Sequence, residues 1–297
     1  MSGSAVKARG KAMNTTSPLE TVLRGIAITL VILFFMFPIF WIILMSFQTN
    51  ATILQVPPSV FFEPTLQNYR GLITGQLVTD TSSLEIRFMG NLFNSLFLST
   101  ASVAVGLILG VPAAYAFARL KFRGSEDIAF TLLSFRFAPP LLVLLPLTIY
   151  FQQIGLANTY GGLIWVYQLI VLPLILWIVR GYFEDIPADI EYAYRIAGHR
   201  WWTTFRKIAL PLAGPGIAAA ALLAFIFAWN NFIFALVLAS ADKQPVTVGA
   251  LAFITASGVQ YGQIAAGIIL SIAPTFALAL YAQRYLVEGL SLGAVKG

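Results

Sequence analysis

Six stretches of this chain are long, apolar and almost free of charge, at roughly 24–47, 92–118, 127–151, 161–180, 215–240 and 262–284. That pattern leaves few folds open. A hydrocarbon core about 30 Å thick is crossed by about 20 apolar residues in a helix. Water is absent there, so the backbone must satisfy itself, which only helices and closed barrels do. The runs lack the period-two alternation of barrel strands, so they predict helices. Only 10% of the 297 residues are charged, against about 25% in a soluble domain. The expected fold is an all-α membrane protein with six transmembrane helices. Pro38, Pro112, Pro139, Pro140, Pro146, Pro173 and Pro274 fall inside the runs and predict kinks.

Charge sets the orientation. Lys7, Arg9, Lys11 and Arg24 precede or open the first run, and Arg119, Lys121 and Arg123 follow the second. Arg180, Arg195, Arg200, Arg206 and Lys207 follow the fourth, and Arg284 and Lys296 the last. The opposite side holds only Arg70, Arg87 and Lys243, while Arg136 lies within the third run. Basic residues gather on the cytoplasmic side, so both termini are expected there. The net charge of +6 is thereby a topology signal and calls for no nucleic acid. The run from Ile26 to Phe47 is too long for a cleavable signal and lacks a small-residue cleavage site. The expected organisation is a cytoplasmic segment 1–23, a transmembrane domain 24–284 and a cytoplasmic tail 285–297. The domain carries an external loop 48–90, a cytoplasmic loop 181–214 and a shorter external loop 241–261.

Several chemistries are missing. There is no cysteine, and His199 is the only histidine, which leaves no disulfide and no histidine-rich metal site. No G-x-x-x-x-G-K-[ST] occurs, so the chain does not supply its own ATPase. A literal G-x-S-x-G at 289–293 lies near the C-terminus, and an esterase elbow needs a preceding strand and a partner histidine. Gly106-x-x-x-Gly110 suits a close helix contact, whereas Gly258-x-x-x-Gly262 falls in a predicted loop.

The cytoplasmic segment from Asp189 to Pro211 is the polar exception. Asp189 reads as an N-cap, residues 190–197 as a short helix, and Gly198 as its C-terminal stop. A basic amphipathic stretch follows, with Trp201, Trp202, Phe205 and Ile208 beside Arg206 and Lys207, and Leu210-Pro211 ends it. Two short helices at an angle make a knob. Composition leaves two readings: an interfacial loop with tryptophans at headgroup depth, or a docking element for a cytosolic partner.

The segment resembles the EAA loop of membrane subunits of binding-protein-dependent ABC importers, which runs E-[EA]-A-A-x-x-D-G and later I-x-L-P. Glu191, Ala193, Gly198, Ile208, Leu210 and Pro211 match; Tyr192, Tyr194 and Ala197 depart from it. The likeness extends along the chain to the maltose-type carbohydrate permeases. It takes in Asn94-Ser95, Ala113-Ala114-Tyr115-Ala116-Phe117-Ala118-Arg119, Pro139-Pro140, Leu145-Pro146-Leu147, Gly155-Leu156-x-Asn158-Thr159, Phe227 to Phe232, and the tail Gly289 to Gly297. Ser134 to Pro140 is most like members that carry polyols and small sugars.

The resemblance implies one half of a pore in a bacterial or archaeal inner membrane. Its implied partners are a second homologous permease, a homodimeric P-loop ATPase that uses ATP and Mg, a solute-binding protein outside, and a sugar or polyol. This chain itself would hold no cofactor and perform no catalysis. The loop would act as a coupling helix in a cleft of the ATPase. Glu191 would pair with a basic group there, Gly198 would permit the turn, and the residues from Val295 to Gly297 would reach the ATPase.

Polar residues inside the runs are candidates for the translocation path. Arg136 lies about ten residues into the third run, near mid-depth. It either lines the path or is satisfied by carbonyls freed near Pro139. Asn230 and Asn231 sit mid-way along the fifth run, facing the path or packing between helices, and Trp229 either stacks on a sugar or fills the core. Gln168 belongs to the fourth run. A secondary transporter or channel is the competing function. Against it, the acidic residues fall in loops or at span ends, leaving no intramembrane carboxylate for a proton or sodium ion.

Overall fold

The computed structural model describes residues 18–78, 83–120, 122–255 and 258–293. The expectations for residues 1–17, for Lys121 and for the last residues of the tail lie outside that set. Among the described residues, four helices are long and apolar enough to cross a membrane, and six spans result if each of two bent pairs counts as one.

The centre of the fold is a helix pair, α2 (Phe88–Arg119) and α5 (Tyr160–Asp185). Two glycines set their approach. A Cβ on Gly106 would lie 2.6 Å from Val171 Cγ1, and one on Gly110 would lie 2.9 Å from Ile175 Cγ2. Missing side chains here admit the branched residues of α5, whose Val171 and Ile175 are fully buried. Helix α1 (Pro18–Ser46) is apolar all round, buries none of its central stretch and packs mainly on the last helix.

The third run is not one straight helix but two helices at 97°: α3 (Ser125–Ser134), continued by a 3₁₀ turn Phe135–Phe137, and α4 (Pro140–Gln153). The tandem Pro139-Pro140 explains the corner. Proline removes the N–H needed for helical continuity and pushes the residue before it out of the helical region, and Ala138 is extended at φ −63°, ψ 126°.

The fifth run also departs from expectation. After the short helix α6 (Ala188–Ile196) and the helical stretch Trp201–Leu212, α7 (Gly214–Trp229) stops at Asn230, and α8 (Ile233–Leu238) is a separate short helix. Upstream, the helical stretch Trp201–Leu212 meets α7 at 72°. Helix α9 (Tyr261–Gly293) outruns the expected end at 284, and its apolar, membrane-crossing part is Tyr261–Gln283. The G-x-S-x-G at 289–293 therefore lies within a helix, without the strand that a nucleophile elbow requires.

Side-chain amides tie the segments between the long helices down. Asn68 Nδ2 donates to the carbonyls of Ser46 (2.9 Å) and Gln48 (2.8 Å), at the end of α1. Asn50 bridges Val259 O and Tyr261 N, and Gln263 Nε2 reaches Gln76 O. Gly262 lies in the first turn of α9 against Asn68, whose Nδ2 would be 2.7 Å from an added Cβ. This glycine therefore has a packing role that its assignment to a loop does not foresee.

Candidate coupling element and translocation path

The knob is built as two short helices with a glycine between them. Helix α6 begins at Ala188, ahead of the expected start. Asp189 is thus in the first turn rather than the N-cap, where its charge still favours the helix N-terminus. Gly198 adopts φ +95°, a conformation that side-chain-bearing residues resist, and donates its N–H to Arg195 O at 3.0 Å. Trp201–Thr204 forms the second helix, followed by a π-helical turn Phe205–Ala209 and a last turn at Leu210–Leu212 that includes Pro211.

One face of α6 turns inward and the other outward. Glu191 is 2% exposed, whereas Tyr192 is 53% and Ile196 87% exposed. Ala193 is exposed and Tyr194 half-buried, its ring stacked on His199 at 4.0 Å. The three departures from the EAA pattern, Tyr192, Tyr194 and Ala197, therefore all lie away from the buried face.

The resemblance sets the Glu191 carboxylate against a basic group on the ATPase. Within this chain it accepts from Tyr115 Oη at 2.6 Å and from Arg119 Nε at 2.8 Å. Arg119 also donates to Ile186 O at 2.7 Å. Phe205, just after the second short helix, packs on Tyr115 and Phe183, closing an aromatic cluster beneath the knob. In the sequence, Tyr115 and Arg119 stand out only as members of a matching stretch. Their spacing of four puts them on one helix face, which is the available signal.

The path candidates do not converge. Arg136 sits in the 3₁₀ turn at the α3–α4 corner, not mid-helix, with its guanidinium 4.5 Å from the centre of the Phe227 ring. Gln168 is buried between α5 and α2 and donates to Ser102 O and Ile164 O. Asn230 and Asn231 occupy the break after α7 rather than its middle. Asn230 is exposed and bonded back to Ile226 O, and Asn231 is buried and accepts from Thr247 Oγ1 through its carbonyl. Trp229 is 5% exposed and stacks on Phe225, which favours its core role, yet it also lines a cavity.

That cavity, of about 420 Å³, lies between the end of α7, the segment from Val246 to Phe253 and α9. Trp229 and Asn230 line it with Thr247, Ser271 and Thr275, and among the described residues no charged side chain contributes to its wall. The sequence reading does not single out Ser271 and Thr275, for which two hydroxyls four apart in an apolar helix are the only cue.

Residues 102–291 match the family of binding-protein-dependent transport system inner membrane components. The match starts inside α2 and ends near the tip of α9, so it contains the whole knob. The chain belongs to this family. Its members are non-enzymatic permease subunits embedded in the inner membrane. The trehalose transport system permease protein SugB of Mycobacterium tuberculosis is 36% identical over 277 residues, covering 91% of this chain and 95% of the relative. The trehalose/maltose transport system permease protein MalG of Thermococcus litoralis is 32% identical over 281 residues, covering 94% and 98%. In three dimensions the chain is similar to a subunit of a bacterial ABC transporter involved in the import of the acidic polysaccharide alginate. The TM-score is 0.69 at 23% identity, over 90% of this chain and 96% of that one. The fold is that of an ABC importer permease.

Proposed function

We propose that this chain forms half of the translocation path of an ATP-driven importer for a sugar or polyol. A second homologous permease completes the path, a solute-binding protein delivers substrate from outside, and both termini lie in the cytoplasm. A homodimeric ATPase, using ATP and Mg, docks on the exposed face of the knob. The observation that carries this reading is family membership over a segment that includes the knob, together with relatives named for trehalose and maltose. The cavity wall is largely apolar and uncharged, and its few polar side chains, Asn230, Thr247, Ser271 and Thr275, would donate to and accept from the hydroxyls of a neutral solute.

Mechanically, ATP binding and hydrolysis bias a two-state element. Closure of the ATPase moves α6, and the spans follow between inward-open and outward-open arrangements. Copurification and uptake in proteoliposomes test the reading. Glu191→Lys, which puts a like charge beside Arg119, and Gly198→Pro, which is incompatible with φ +95°, are expected to detach or uncouple the ATPase. Normal copurification together with normal ATP-dependent uptake in both variants would remove the docking role of the knob.

A further inference from the structure

The carboxylate at the start of the knob is held from within the chain. Arg119 stands at the end of α2 and spends one nitrogen on Glu191 and another on the carbonyl of Ile186, where α5 ends. Tyr115, one turn earlier, takes the second oxygen of Glu191. The pair is deeply placed, with side chains 10% and 2% exposed. A buried ion pair is retained against its desolvation only when its remaining hydrogen-bonding groups are also satisfied, and here both carboxylate oxygens have partners. The exposed side chains of α6, Tyr192 and Ile196, point the other way. The helix is thus held at a charged point on one side and open on the other.

We propose that Arg119, with Tyr115, is a positioning residue that roots the coupling helix in α2, so that any displacement of α6 is passed to α2 as a rigid body. A lysine in place of Arg119 would keep the charge but lose the fork that holds Glu191 and Ile186 together. The consequence for transport rests on the coupling function proposed above; the rigid link itself does not.

The chain has no cysteine, so spin labels can be placed without removing any. Ile196 on α6 and Ile108 on α2 are both exposed, at 87% and 71%, and accept labels as Ile196→Cys and Ile108→Cys. In the full chain in lipid nanodiscs, the distance between these labels should have a narrow distribution that broadens in Arg119→Lys and in Tyr115→Phe. A distribution equally narrow in both variants and in Arg119→Ala overturns the root. If Arg119→Ala fails to fold, Tyr115→Phe, which keeps the ring and removes only one hydrogen bond to Glu191, carries the measurement. In the assembled importer, Arg119→Lys should leave the ATPase bound. It should lower the stimulation of hydrolysis by loaded binding protein about five- to a hundredfold, the span of ordinary site-to-site coupling. Unchanged stimulation, or loss of the ATPase from the variant alone, overturns a role in transmission. An ATPase that binds neither wild type nor variant overturns the docking reading instead, and the label distances still decide the root.

Discussion

The guanidinium of Arg195 lies 3.6 Å from the ring centre of Trp201. Arg195 stands in the last turn of α6 and Trp201 opens the next helix, so this contact closes the knob across the turn at Gly198. It is partly exposed, and such a cation–π contact contributes about 0.5–1 kcal/mol. Trp201→Leu is therefore expected to leave the fold intact and to weaken ATPase binding by about two- to fivefold, the same energy expressed as affinity. A binding titration on the solubilised complex measures this, and a wild-type affinity would show that the two helices keep their angle without it.

The opposite end of the α2–α5 pair has its own clasp. Asn94 Nδ2 donates to Asp242 O (2.9 Å) and Gln244 O (3.0 Å), while its Oδ1 accepts from Tyr160 Oη (2.7 Å). Ser95 Oγ, next in sequence, accepts from Val246 N at 2.8 Å. Asn94→Ala strips partners from the loop and from Tyr160, at a cost of about 1–3 kcal/mol. Hydrogen exchange should accelerate at residues 240–246 and the midpoint of thermal unfolding should fall. Unchanged exchange there would mean that Ser95 alone holds the loop.

Two glycines make a paired test of packing. Gly106→Ala drives a methyl to within 2.6 Å of Val171 Cγ1 and 2.9 Å of Ile175 Cδ1. Overpacking of this kind costs about 1–3 kcal/mol. At Gly25, inside α1, an added methyl would have nothing within 4 Å, so Gly25→Ala should stabilise by about 0.5–1 kcal/mol through helix propensity. Thermal unfolding in detergent reads both, and opposite signs are expected.

Arg136 tests the translocation path at the α3–α4 corner. Its contact is with an aromatic ring, so Arg136→Ala should change stability by no more than about 1 kcal/mol. A fall in uptake by an assembled complex would then reflect the path itself. Uptake at the wild-type rate would place the guanidinium outside it.

The apolar runs and the short helix of the knob were legible in the chain itself, whereas the kinks expected at Pro38, Pro112, Pro146, Pro173 and Pro274 fall inside helices that run on through them. Hydrophobic length and the Pro139-Pro140 pair are local properties, and the bilayer makes them decisive because an unsatisfied backbone has no water to turn to. Length alone could not tell a straight span from a broken one, so the corner at Ala138 and the stop at Asn230 emerged only in the fold. The same limit applies to the site. Glu191 stood out in the sequence, but its partners Tyr115 and Arg119 lie 76 and 72 residues away. Nothing local to a carboxylate says whether it faces a partner protein or its own chain. Its partners within the chain depend on which helix ends meet, and the packing of α2 against α5 through Gly106 and Gly110 brings the ends of those two helices to Glu191.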